Sequence, residues 1–168
     1  KNIPIGVLEP GCASAWMDDI PDLIADDKIA SQLKKIQPFE MVLLDVLQKT
    51  NRATGIIKPQ SNHILVHGHC HQKSIFGMTT VRDIFSLWPE VKYEEIDSGC
   101  CGMAGSFGYE ARHYEISKKM AERVLVPSIL SKPEAFVIAN GFSCRHQIAD
   151  FAARKAHHIS EAFIIMKK

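Results

Sequence analysis

Each of the five cysteines in this chain follows a short strand-like segment, apolar before Cys12, Cys70 and Cys144 and alternating before Cys100 and Cys101, and helix-like stretches fill the intervals. Ile5, Val7 and Leu8 precede Cys12, residues 63–67 precede Cys70, residues 91–97 precede Cys100 and Cys101, and residues 135–139 precede Cys144. This alternation predicts an α/β chain with a mainly parallel sheet and helices on both faces. Open sheets of that kind gather ligands beyond the carboxyl ends of their strands. The cysteines are therefore expected at that edge, a placement for which purely structural cysteines have no reason.

The intervals carry their own signals. Cys12 closes the turn Glu9-Pro10-Gly11-Cys12, and residues 13–17 begin a helix. Residues 18–27 are acidic and broken by Pro21. Residues 28–36 read as a short amphipathic helix. The spacing of Phe39, Val42, Leu43, Val46 and Leu47 predicts a helix over 38–49 with that stripe in the core. Residues 50–62 are polar, contain Gly55 and Pro59, and read as a connector or a hairpin. Further helices are expected over 75–88, 110–130, 145–155 and 160–166, the second burying Tyr114, Ile116, Met120, Val124 and Leu125. Runs 6–12 and 137–144 share the order strand, polar turn, cysteine and helix, a weak internal echo.

The chain's 168 residues suit one domain with a sizeable core, and a composition 46% hydrophobic and 23% charged reads as globular. A formal net charge of +1 offers no electrostatic case for nucleic acid or a membrane surface. The run from Lys1 to Leu8 is too short, and too interrupted by Pro4, for a signal peptide, and no apolar stretch has transmembrane length. An odd number of cysteines without a secretory leader favours reduced thiols or metal ligands over disulfides. A cytoplasmic location is expected, with any membrane association made through a partner. The missing initiator Met and the strand-like opening are those of a piece excised from a longer protein.

The densest stretch is Ser98-Gly99-Cys100-Cys101-Gly102-Met103-Ala104-Gly105-Ser106-Phe107-Gly108. Adjacent cysteines face one place only across a sharp bend, which glycine's access to positive φ permits. Glycines also let backbone N–H groups approach an anionic object such as a thiolate-ligated cluster. The lesser reading of the same stretch is a tight turn burying two small side chains. Cys70 and Cys100 are separated by 29 residues (71 to 99), and Cys101 and Cys144 by 42 (102 to 143). With no Cys-x-x-Cys, a zinc ribbon is disfavoured, and ferredoxin spacings are absent too. His69 and His71 flank Cys70, so a nucleophilic cysteine with a histidine base is a further reading, but it leaves four cysteines without a role. His63, His113, His157 and His158 read as solvated or capping side chains. Gly99 to Gly105 is G-x-x-G-x-x-G, not the dinucleotide pattern.

Cys70, the triplet Cys100-Cys101-Gly102 and Cys144 resemble the cysteine-rich CCG domain found in heterodisulfide reductase and in the iron–sulfur component of glycolate oxidase. The strings His69-Cys70-His71-Gln72-Lys73, Cys100 to Gly108 and Asn140-Gly141-Phe142-Ser143-Cys144-Arg145-His146-Gln147-Ile148 are similar to a narrower group. Its members are large FAD-linked D-2-hydroxy-acid dehydrogenases, which join a flavin module to ferredoxin-like and CCG regions. Leu8-Glu9-Pro10-Gly11-Cys12 resembles the segment there that links one CCG unit to the next, so residues 1–15 read either as part of a single domain over 1–168 or as the end of a preceding unit. The family pattern ends in Cys-x-x-Cys, but Gly141 stands at the first of those positions.

The resemblance implies an electron-transfer domain holding a 4Fe-4S cluster, of non-cubane form in heterodisulfide reductase, with zinc as the alternative metal. The implied ligands are Cys70, Cys100, Cys101 and Cys144. Cys12 either supplies the thiolate missing at position 141, or the cluster has fewer cysteine ligands. His69, His71, Gly102 and Arg145 are expected to support the site rather than ligate. FAD would lie on another part of the full protein, and the flavin-containing and ferredoxin-like modules would be the partners. No oxidation of substrate is expected from this chain alone. The rival is a zinc-bound or metal-free docking domain.

Overall fold

The computed structural model describes residues 3–50 and 53–166; Lys1 and Asn2 of the opening run, and Asn51 and Arg52 of the connector, lie outside the described residues. A three-stranded parallel sheet forms the centre, with β4 (His63–His67) between β5 (Lys92–Glu95) and β6 (Phe136–Ala139). The register places Leu65 beside Glu94 on one side and Val137 on the other. β4 is central, and its apolar residues Ile64, Leu65 and Val66 are all buried. Continuous apolarity of this kind is the mark of a strand covered on both faces.

The pleat sorts those residues. Ile64, Val66 and Ile138 pack with Leu47, Val81, Ile84, Phe85, Trp88 and Ile159. That layer includes α4 (Phe39–Lys49) and α5 (Thr79–Ser86). Leu65, Val137 and Ala139 face the other way, onto Ala121, Leu125, Ile129, Cys144 and Ile148. That layer is built from α6 (Tyr114–Arg123), α7 (Leu125–Leu130) and α8 (Phe142–Ala152). Full burial of a side chain such as Leu65 contributes about 1.5–3 kcal/mol. The helices therefore cover both faces, as expected.

Two smaller ladders complete the fold. β1 (Ile5–Val7) pairs in parallel with β2 (Ile36–Pro38), and β3 (Ile57–Pro59) pairs antiparallel with β7 (Phe163–Ile165). The strand before Cys12 is thus not part of the central sheet. It is tied to the same edge by His158 Nε2, 3.0 Å from the Leu8 carbonyl, and by Glu9, whose carboxylate accepts from the Phe142 amide at 2.8 Å.

Several expectations are corrected. Residues 160–166 are not helical; a single 3₁₀ turn at Ile159–Glu161 leads into β7, whose β-branched Ile164 and Ile165 suit a pleated edge. The expected connector contains β3. The helix over 75–88 begins earlier, as a π-helical turn at Gln72–Phe76, and is interrupted by Gly77 at φ 74° before α5. The helix over 110–130 breaks at Val124 (φ −143°), ahead of Pro127, whose ring would obstruct a continuous ladder. The buried face of α6 also differs from the expected one. Ser117 and Ala121 pack inward, while Tyr114, Ile116 and Met120 are exposed. On α4, Val46 is exposed and Leu47 is buried. α8 opens at Phe142 rather than at Arg145, and ends at Ala153 in the left-handed conformation. A short α1 (Pro10–Ser14) carries Cys12, with Pro10 in its first turn, and α2 (Ile20–Leu23) and α3 (Asp27–Leu33) follow it before β2.

Candidate metal centre

β4, β5 and β6 are parallel neighbours, so the turns that follow them share one edge. Cys70 lies just past β4, Cys100 and Cys101 past β5, and Cys144 in the first turn of α8 after β6. All five cysteines are free thiols. His69, Cys70, His71, Cys100, Cys101, Ala104, Gly105 and Ser143 line one cavity of about 410 Å³. Cys144 is buried beside it, and its sulfur, the sulfur of Cys101 and a ring nitrogen of His67 lie within 4.8 Å of one another.

The bend that brings Cys100 and Cys101 here depends on Gly102. Its φ is 103°, and a Cβ at this position would sit 2.3 Å from the Ser117 carbonyl oxygen. No other residue fits both constraints. Ala104 and Gly105 continue the positive-φ path, at 41° and 66°. Gln147 locks the far side. Its side-chain amide, fully buried, donates to the Cys101 carbonyl at 2.9 Å and reaches the Ser117 carbonyl and hydroxyl at 3.1 and 2.9 Å.

The bend turns amide hydrogens toward sulfur: Gly102 N–H donates to Cys100 Sγ at 3.3 Å. The Ala104 amide also favours the Cys100 thiolate, and the Met103 and His71 amides act likewise on Cys101 and Cys70. The thiols then divide in two. Hydrogen bonding from Cys101 holds both Cys100 and Cys144 far below the usual thiol range. Hydrogen bonding to Cys100 pushes both Cys70 and Cys101 up. Four sulfur donors gathered beside these amides are a soft set whose protons a metal can displace.

The other expected residues are placed as follows. The ring of His69 fills the space above Gly141, where a Cβ would lie 2.3 Å from its Cδ2, and its Nδ1 accepts from the His71 amide at 3.2 Å. His71 Nδ1 lies 2.5 Å from Ser14 Oγ, which itself donates to the Gly11 carbonyl at 2.8 Å. His71 therefore donates to Ser14 and clamps α1 against the turn after Cys70. Arg145 sends Nη1 back to the carbonyls of Ala139 and Asn140, at 2.9 and 2.6 Å. Cys12 is exposed on α1 and is not among the residues lining the cavity.

Sequence reasoning passed over His67, Ser98, Ser117 and Gln147. Only for His67 was a signal present: strand periodicity puts it on the same face as Leu65, the side where α8 carries Cys144.

No family model matches the chain, and no solved structure matches it. The chain is 36% identical over 172 residues to a D-2-hydroxyglutarate dehydrogenase of Pseudomonas putida; the match covers 97% of this chain and 15% of that protein. It is 33% identical over 103 residues to the D-2-hydroxyglutarate dehydrogenase of Escherichia coli K12, covering 58% of this chain and 10% of the relative. A subunit of the anaerobic glycerol-3-phosphate dehydrogenase of Escherichia coli K12 is 21% identical over 159 residues, covering 94% of this chain and 39% of that subunit. The chain thus spans well under half the length of each of these relatives.

Proposed function

We propose that this chain is a CCG-type, iron–sulfur-binding electron-transfer domain of an oxidoreductase acting on a D-2-hydroxy acid of the glycolate, lactate or 2-hydroxyglutarate type. One observation carries the reading: thiols from three neighbouring parallel strands meet at one sheet edge, with backbone amides aimed at their sulfurs. Cys70, Cys100, Cys101 and Cys144 would hold the metal, whereas Cys12 is exposed on α1 outside the cavity lining. The donor set is sulfur-rich and soft, which suits iron or zinc and not a hard cation.

A bound 4Fe-4S cluster, cubane or non-cubane, supplies a redox couple that takes up one electron and passes one on. The protein's part is to hold the thiolates, to lower the energy of the added negative charge through the amides of Gly102, Met103 and Ala104, and to exclude water through Gln147 and the α8 layer. FAD belongs to another part of the full protein. Flavin-containing and ferredoxin-like modules of the same chain or complex are the electron partners, in the cytoplasm. No helix of the described residues is long and apolar enough to cross a membrane.

Zinc is the second reading, favoured by the close triad of Cys101, Cys144 and a His67 nitrogen, within 4.8 Å of one another. Anaerobic preparation with metal analysis and spectroscopy separates the two. Iron and sulfide with visible charge-transfer absorption support electron transfer. A colourless chain with stoichiometric zinc leaves a structural docking domain.

A further inference from the structure

We infer that His67 is a metal ligand, bonding through Nε2 the metal that Cys101 and Cys144 share; this rests on the metal-binding reading above. His67 ends β4 and is 1% exposed. Its Nδ1 lies 2.9 Å from Ser98 Oγ. Its Nε2 is buried and has no hydrogen-bond partner among the described residues. A protein seldom leaves a buried ring nitrogen without a partner. Here the neighbours of the ring are the two most deeply buried thiols of the chain, within 4.8 Å.

The ring's other side explains why Nε2 is bare. When Nδ1 donates its hydrogen to Ser98 Oγ, the Nε2 lone pair is the free one. Metal-bound histidines characteristically donate the second N–H to an oxygen in this way, which fixes both tautomer and ring angle. Ser98 is itself held: its amide donates to the Ile96 carbonyl at 2.8 Å, and its carbonyl accepts from the Lys73 ammonium. Imidazole in place of thiolate is established iron–sulfur chemistry, and it raises the potential because a charged ligand is replaced by a neutral one.

Two alternative donors are poorly placed. Position 141 carries no side chain, and the His69 ring fills the space a Cβ would need. Cys12 is exposed on α1, outside the cavity lining. A ring nitrogen of His67 already lies within 4.8 Å of the buried sulfurs of Cys101 and Cys144.

The test uses the anaerobically prepared chain labelled with ¹⁵N-histidine. Pulsed EPR of the reduced, iron-loaded parent should show one strongly coupled nitrogen. His67→Cys should keep the iron but lose that coupling, and His69→Ala should keep both. An iron-loaded parent without a directly bound nitrogen overturns the inference and leaves the iron–sulfur reading intact. A coupling kept in His67→Cys and lost in His69→Ala also overturns it, by transferring the role to His69. Should His67→Cys fail to fold, the His69→Ala and His71→Ala spectra decide: a coupling kept in both supports His67, and one lost in either overturns the inference. A parent holding zinc instead of iron sinks the electron-transfer reading alone; the ¹⁵N shift of His67 Nε2 in the zinc form then shows either a metal-bound nitrogen, as inferred, or a free one, which overturns the assignment. A parent that takes up neither metal overturns both.

Discussion

The imidazole of His69 occupies the space that a side chain at position 141 would need: a Cβ on Gly141 would lie 2.3 Å from Cδ2 of the ring and 3.2 Å from Cys144 Sγ. Gly141 has φ −69° and ψ 131°, so its backbone would accept any residue. The glycine is required by its neighbour and not by its own conformation.

Gly141→Ala should therefore destabilise the metal-free chain by about 1–3 kcal/mol, the usual penalty of overpacking. Adding His69→Ala should recover most of that loss, because the clash is between these two groups. Urea unfolding of the single and double variants checks this. An unchanged midpoint for Gly141→Ala would mean that the ring swings aside without cost.

Gln147→Leu should cost about 1–3 kcal/mol, since it leaves the buried Cys101 and Ser117 carbonyls without their donor. The same variant should loosen the Cys100–Cys101 bend. Iron retention during anaerobic dialysis is expected to fall relative to the parent, and equal retention would separate the bend's geometry from metal affinity.

Cys12→Ser should leave iron content within error of the parent, while Cys144→Ser should lose most of it. Cys12 is exposed and outside the cavity lining, whereas Cys144 is 2% exposed beside Cys101. Equal losses in the two variants, measured as iron per chain, would make Cys12 a ligand.

Glu40 supplies a pH signature. It is buried on α4, where burial raises its pKa above the ordinary 4.5, and its carboxylate accepts from Gln72 Nε2 at 2.6 Å. The folded state thus holds the proton more tightly than the unfolded state. Its contribution to stability is full below pH 4.5, the unfolded value, and declines as pH rises through the raised folded value. Glu40→Gln, neutral and of the same shape, should remove that decline. Melting temperatures of the metal-free chain across this range test it, and parallel profiles for parent and variant would refute it.

How far the residues alone reach is clearest at β4 and at the last strand. The apolar run of Ile64, Leu65 and Val66 marked a strand, and the structure places it at the centre of the sheet. Residues 160–166 offered seven positions with no clear period, and their strand form depends on Ile57, Lys58 and Pro59, about a hundred residues earlier, supplying the hydrogen bonds. Likewise Ser117 faces inward because the Gly102 bend packs directly against its carbonyl, a contact that no periodicity announces.

The sequence by itself determined the α/β alternation, the strand–turn–cysteine order and the sharp bend at Gly102, because each rests on periodicity or on the φ range of single residues. Tertiary structure alone decided that β5, β4 and β6 are adjacent, that β1 pairs elsewhere, and that Ser98 pairs with His67 and Gln147 with the Cys101 carbonyl. These are contacts across 31 and 46 positions of chain. No local preference encodes them; they form only when burial of the two apolar layers closes the loops between the strands.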